Sequence, residues 1–389
     1  MFDGPDHRTA WARWPPPLAY CVPAHYDRSS VSDILELLRL AKQREASDLH
    51  LVMGSPPMAR IDGALQVLDE YGMMLSEDIQ AALMKMTTAD QQAEFATNLE
   101  LDFGMALEDV GRLRCNAARQ RGEISFAIRL LPAEIPTVDG LELPEVYKDL
   151  AMKQHGLVIA SGPTGSGKST SLATMINHIN HNRTSHVVTI EDPIEYTHTN
   201  FKSAITQRQL GTDTLSFATA LKHVLRQDPD VILVGEMRDL ETASAALTVA
   251  ETGHLVLTTG HATGAPEAID RVVGLFPPAQ RYLAQIRLAA TLIAVLGQTL
   301  VPRAGGKGRI AAVEIMLGTS AVKNLVREGK IHQLHNVIRT SSKLGMVTMD
   351  QSLARLYVQG LIDAATLLAF CQNTEEVEEI AGTRLGYLR

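Results

Sequence analysis

Gly162-Pro163-Thr164-Gly165-Ser166-Gly167-Lys168-Ser169-Thr170 decides the fold. The first eight residues match G-x-x-x-x-G-K-[ST], the pattern of a phosphate-binding loop. The aliphatic run GLVIAS (residues 156–161) directly before it reads as a buried strand, and residues 171–180 after it read as a helix. Strand, glycine loop, helix is the order the chemistry requires. Glycines let backbone N–H groups curl around a phosphate, and the helix N-terminus adds partial positive charge. In that arrangement Lys168 reaches the β- and γ-phosphates of a nucleoside triphosphate, and the Ser169 hydroxyl binds Mg²⁺.

Two acidic clusters follow at strand ends. The first is Thr189-Ile190-Glu191-Asp192-Pro193-Ile194-Glu195, where the strand HVVTI stops by Pro193. Its carboxylates are thereby placed at the sheet's carboxyl edge, where nucleotides bind in such folds. The second is Asp228-Pro229-Asp230 followed by VILV, Gly235 and Glu236. Four aliphatic residues leading to a carboxylate form a Walker B strand, and Glu236 would hold Mg²⁺ directly or through water. Alone, either cluster also reads as solvated loop acids; a phosphate loop upstream favours the site. His261 ends a further strand, HLVLTT, after Gly260, and is either a γ-phosphate sensor or a structural histidine. His178 and His181 lie three residues apart on the loop's helix, and with no third ligand they read as a polar helix face.

Beyond the loop, short aliphatic runs alternate with helical segments, the mark of a parallel sheet in an α/β domain. We place this domain at 151–389, with a part made of helices from about 319. The apolar residues 288–296 read as a buried helix. A smaller α+β domain is expected over 31–131. Asp33 can cap a helix carrying Ile34, Leu37, Leu38 and Ala41, further helices fall near 77–86 and 90–97, and strands near 101–107, 112–118 and 124–131. Residues 132–150, with three prolines and Gly140, read as the linker. Residues 1–30, with Trp11, Trp14 and the Pro15-Pro16-Pro17 stretch, read as a poorly ordered extension.

Composition bounds the function. At 389 residues, two domains and an appendage fit. Lys and Arg number 36 against 44 Asp and Glu, a net charge of −8, which argues against nucleic acid held by bulk electrostatics. Cys21, Cys115 and Cys371 are scattered, so neither a disulfide framework nor a thiolate zinc site is expected. No apolar run approaches the roughly 18 residues that span a bilayer, and a signal-peptide core is not evident at the N-terminus. A cytoplasmic protein is expected, without direct membrane insertion.

These residues in this order resemble the secretion ATPases of type II and type IV systems, in particular the PilT family of pilus retraction motors. The likeness runs from about residue 32 to 361. It is carried by ASDLHL at 46–51, PPMARIDG at 56–63, GPTGSGKST, TIEDPIEY, QDPDVILVGEMRDLETA, AETGHLVLTT, AIDRVVGLFP and AVKNLVRE. It implies a RecA-like P-loop ATPase core, a smaller N-terminal α+β (PAS-like) domain and C-terminal helices. It also implies an ATPase using ATP and Mg²⁺ that drives pilus retraction, hence twitching motility, as a homohexamer. Such a motor works against an inner-membrane platform protein, at the cytoplasmic face of the inner membrane. By the resemblance, Glu191 and Asp192 belong to the Asp box, where Glu195 is the catalytic glutamate. Glu236 is then the Walker B acid, and His261 stands in the His box. Arg208 and Arg226 match basic positions near the nucleotide, while Arg112, Arg114 and Arg129 match strand arginines that reach a neighbouring subunit's nucleotide. The chain departs from the family at Gly260 and Ala262, where Leu and Thr are usual. The four-cysteine zinc module of assembly motors has no counterpart. An accessory retraction ATPase, another secretion ATPase, a catalytically weak nucleotide-binding scaffold and a DNA translocase are the other readings of the same core.

Overall fold

The computed structural model describes residues 33–382 except 62, 69, 132 and 133. The expected extension over 1–30, with Trp11, Trp14 and Cys21, lies outside the described residues. Two compact units emerge. One takes the described residues through Leu101 together with Asn116–Ile128, and the other takes Asp102–Cys115 and the described chain from Arg129 onward.

The smaller unit starts with helix α1 (Ile34–Gln43), followed by β1 (Asp48–Val52), β2 (Met58–Ile61), β3 (Ala64–Val67), α2 (Ser76–Met86) and α3 (Ala89–Asn98). Asp33 caps α1 by accepting from Leu35 N–H, and the helix buries Ile34, Leu37, Leu38 and Ala41 on one face. Strands β4 (Glu100–Leu107), β5 (Gly111–Gln120) and β6 (Glu123–Leu130) follow. The six-stranded sheet has the order β3-β2-β1-β6-β5-β4. The first three strands are additional to the sequence expectation. They are short, and β3 is exposed throughout, so neither an apolar run nor a clear alternation marks it.

The larger unit contains α4 (Val146–Ala151), β7 (Gly156–Ser161), α5 (Lys168–Asn182), β8 (His186–Glu191), β9 (Ala204–Gln209), α6 (Phe217–Val224), β10 (Val231–Val234), α7 (Leu240–Glu251) and β11 (Leu255–Gly260). It continues with α8 (Ala265–Gly274), α9 (Arg281–Thr291), β12 (Leu292–Pro302), β13 (Arg309–Leu317), α10 (Ser320–Arg327), α11 (Leu334–Thr340), α12 (Met349–Val358), α13 (Ala364–Phe370) and α14 (Thr374–Ala381). Its seven strands run β13-β12-β7-β11-β10-β8-β9. All neighbours pair in parallel except β12 with β13.

Alternation along the parallel strands feeds two cores. Leu157 and Ile159 join the cluster under α6 to α11, whereas Val158 and Ala160 join the cluster with α4 and α5. Val138, Leu143 and Tyr147, from the stretch between the expected domains, are buried in that second core. The run 288–296 divides where one buried helix is expected: α9 stops at Thr291 and Leu292 opens β12. A strand buried on both faces is as continuously apolar as a buried helix, so periodicity alone cannot separate them.

Candidate active site

Parallel register brings the strand ends level. Ser161 on β7 pairs with Gly260 on β11, Val234 on β10 pairs with Thr258, and Val234 also pairs with Ile190 on β8. Each strand therefore releases its next residues at one edge of the sheet. A cavity of about 290 Å³ opens there, lined among others by Thr164, Gly165, Lys168, Ser169, Glu191, Asp192, Glu195, Glu236, His261 and Arg114.

The loop itself is held tightly. At Gly162 φ is +154°, and an added Cβ would lie 2.2 Å from the Gln298 carbonyl oxygen, so only glycine fits. Gly167, at φ +86°, occupies the N-cap of α5 in the left-handed region. The Lys168 ammonium donates to the Gly162 and Pro163 carbonyls, each at 2.8 Å. Burial lowers its pKa, while Glu236 and Glu195 across the cavity act to raise it. Gln298 on β12 braces the loop: its Nε2 donates to the Ser166 carbonyl and its Oε1 accepts from the Ser171 hydroxyl, both at 2.8 Å. Sequence reading missed it, because it lies 132 residues from Ser166 with no local motif around it. The Thr170 hydroxyl meets the Tyr196 hydroxyl at 2.9 Å, which ties α5 to the Asp-box segment.

Glu191 and Glu195 divide their work. Glu191 Oε1 accepts from the Thr189 hydroxyl at 2.6 Å and from Gln207 Nε2 at 3.2 Å. Burial raises its pKa, with Thr189, Gln207 and the Glu195 backbone N–H acting to lower it. Through Gln207, which also donates to the Tyr196 carbonyl, it is tied to the loop that carries Glu195. Glu236 Oε2 lies 2.7 Å from Arg238 Nε and 3.2 Å from His261 Nε2. His261 therefore touches the Walker B carboxylate directly. Gly260 does not leave it loose, because the Ser161 hydroxyl brackets Ala262: it donates to the Ala262 carbonyl at 2.9 Å and accepts from its N–H at 3.1 Å.

The arginines separate. Arg114 lines the cavity. Arg112 Nε donates to the Ile194 carbonyl at 2.8 Å, and burial lowers its pKa. Arg208 turns away, with Nη2 on the Asp213 carbonyl at 2.8 Å. Arg226 and Arg129 are exposed and do not line the cavity. Arg238 does line it and was missed, although it stands two residues after Glu236. On α5, the His181 ring packs on Phe201 with centroids 4.2 Å apart.

The donor set suits Mg²⁺ held with a nucleotide. Among the described residues no cluster of three or more His, Cys, Asp or Glu could hold a metal by itself. Ser169 and Glu236 supply two hard oxygen donors to one cavity, the partial set that Mg²⁺ takes when phosphates and waters complete it. The Ser166 hydroxyl is buried without a partner beside that phosphate loop.

Comparison with known proteins agrees with this geometry. The family described as "Type II/IV secretion system protein" matches residues 31–360. The type IV pilus retraction ATPase PilT of Pseudomonas aeruginosa is 44% identical over 330 residues, covering 85% of this chain and 95% of that one. A twitching motility protein of Neisseria gonorrhoeae is 42% identical, covering 88% and 92%, and the type IV pilus ATPase PilU of P. aeruginosa is 40% identical, covering 88% and 89%. The crystal structure of the pilus retraction motor PilT with bound ADP superposes with a TM-score of 0.82 at 41% identity, covering 90% of this chain and all of that one. The fold is accordingly a RecA-like ATPase core with a smaller N-terminal α+β domain. With Lys168, Glu236 and His261 brought to one cavity at the sheet edge, the chain belongs to the type II/IV secretion system protein family, as a PilT-like ATPase.

Proposed function

We propose that this chain is a motor ATPase that drives type IV pilus retraction, acting as a homohexamer at the cytoplasmic face of the inner membrane against the pilus platform protein. The observation that carries the catalytic part is the convergence of Lys168, Glu195, Glu236 and His261 on one cavity. Lys168 and the loop amides bind the phosphates of ATP. Glu195 orients and deprotonates the attacking water, a role open to it because Glu191 is already engaged by Thr189 and Gln207. Ser169 and Glu236 would hold Mg²⁺, which neutralises phosphate charge when bound. His261 on Glu236 is positioned to report the state of the γ-phosphate to β11, which it follows, and to β7 through the Ser161 hydroxyl on Ala262. Arg114 lines the cavity of its own chain and Arg112 donates to the Ile194 carbonyl beside Glu195, and both are proposed to reach a neighbouring subunit's nucleotide, as the resemblance implies.

Support for the retraction role comes from relatives named for retraction and twitching and from the helix AVKNLVRE, which the structure forms as α10. An accessory retraction ATPase is the second reading, and the relative PilU is named only as a type IV pilus ATPase. Deleting the gene and counting surface pili separates the readings. Hyperpiliated cells that no longer twitch indicate the main retraction motor, a defect confined to some conditions indicates the accessory role, and bald cells refute retraction.

A further inference from the structure

Glu195 sits in a segment without regular secondary structure, between the end of β8 and the start of β9. Such a segment needs tertiary hydrogen bonds to fix its backbone. It obtains them from two side chains of β9. The two-residue period of a strand puts Gln207 and Gln209 on one face and Arg208 on the other. Gln209 Oε1 accepts from the Ile194 N–H at 3.3 Å and from the Arg112 guanidinium. Gln207 Nε2 donates to the Tyr196 carbonyl at 2.8 Å, and Gln207 Oε1 accepts from the His198 N–H at 2.8 Å. Gln207 Nε2 also reaches Glu191 Oε1 at 3.2 Å. Main-chain groups of residues 194, 196 and 198 are thus held by side chains rather than by a partner strand, with Glu195 in the middle.

We propose that Gln207 and Gln209 are positioning residues that clamp the backbone on either side of Glu195 and so aim its carboxylate at the attacking water. The proposal rests on Glu195 being the water-activating group. Neither glutamine lines the cavity, so neither touches substrate. Geometry errors of about 1 Å at a reacting group cost on the order of 10²-fold in rate. Releasing one clamp should therefore lower kcat about 10- to 100-fold and leave ADP affinity within about threefold, since phosphate binding does not pass through this segment.

The polarity of the two clamps provides the decisive test. Gln209 holds Ile194 and Arg112 as an acceptor, so Gln209→Glu keeps those bonds and should retain near wild-type kcat, whereas Gln209→Leu should not. Gln207 must donate, so both Gln207→Glu and Gln207→Leu should lose kcat; Gln207→Met replaces the latter should it unfold. Each variant is made in the full chain, checked by melting temperature, and measured for kcat, KM and ADP affinity. In a Glu195→Gln background the leucine variants should change residual turnover no further, because the group they aim is gone. Equal proportional losses in both backgrounds, or Gln209→Glu failing as badly as Gln209→Leu, overturn the clamp. Normal turnover in Glu195→Gln alone overturns instead the assignment of Glu195, so the two failures are distinct.

Discussion

Replacing Gln298 by leucine tests whether the phosphate loop is shaped by β12 or only by its own glycines. Gln298 is 3% exposed, and its two amide atoms serve the Ser166 carbonyl and the Ser171 hydroxyl. Leucine keeps the volume but leaves both groups without their partner, in residues that are 2% and 1% exposed. An orphaned buried polar group costs about 1–3 kcal/mol, giving about 2–6 kcal/mol for two. The Ser171 hydroxyl can turn to the Gly167 carbonyl one helical turn back, which recovers part of this and moves the expectation to about 2–3 kcal/mol. The loss should fall on the loop, because β12 remains paired along its length with β7 and β13. ADP affinity should weaken about 30- to 140-fold, the equivalent of that free energy. The assay is ADP titration beside calorimetric melting, with Ser171→Ala and the double variant completing a cycle. Affinity within about twofold of wild type, with a melting point several degrees lower, would show that Gln298 merely fills the core and would refute the reasoning.

Three further outcomes are expected. Lys168→Ala should weaken nucleotide binding, whereas Glu195→Gln should keep binding and lose about 10²- to 10⁴-fold in turnover; near-normal ATPase activity in the latter moves the role to Glu191 or elsewhere. Thr319 caps α10, which buries Val322 and Val326 while Asn324 and Arg327 remain exposed and bonded to each other at 2.6 Å. If the polar face of α10 couples the motor to the pilus machinery, their joint replacement by alanine should change stability by no more than about 0.5 kcal/mol, keep most ATPase activity and abolish twitching, and proportional loss of both activities defeats that coupling. Burial holds the His198 imidazole at about 4, below its ordinary 6.5, so the unfolded chain takes up the proton first as pH falls. The stability tied to this histidine is complete above pH 6.5 and is lost between there and about pH 4, up to about 3 kcal/mol. His198→Asn should flatten that part of the acid-unfolding curve, and superimposable acid limbs would count against it.

Elements with strong local signals were legible in the sequence. The phosphate loop, the strand before it and the helix after it, α1 with its Asp33 cap and the acids at strand ends each carry their signal within a few residues. Glycine geometry, capping and two-residue or helical periodicity are short-range constraints, so they survive in the order of residues alone. Half of the smaller sheet and one strand of the larger were not legible: β1 to β3 are short, and β12 imitates a helix until its place between β7 and β13 is known. The same limit applies within the site. Sequence named Lys168, Glu191, Glu195, Glu236 and His261 but could not tell that Glu191 is engaged by Thr189 and Gln207 or that His261 rests on Glu236. Nor could it tell that Arg112 bonds to the Glu195 segment while Arg208 bonds to the Asp213 carbonyl and does not line the cavity. Gln298, Ser161, Gln207 and Gln209 carry no motif in this reading, and their roles come from partners far along the chain or across a strand. Hydrogen bonds between such groups depend on ångström-scale placement, which strand register and packing supply and which a linear pattern does not contain.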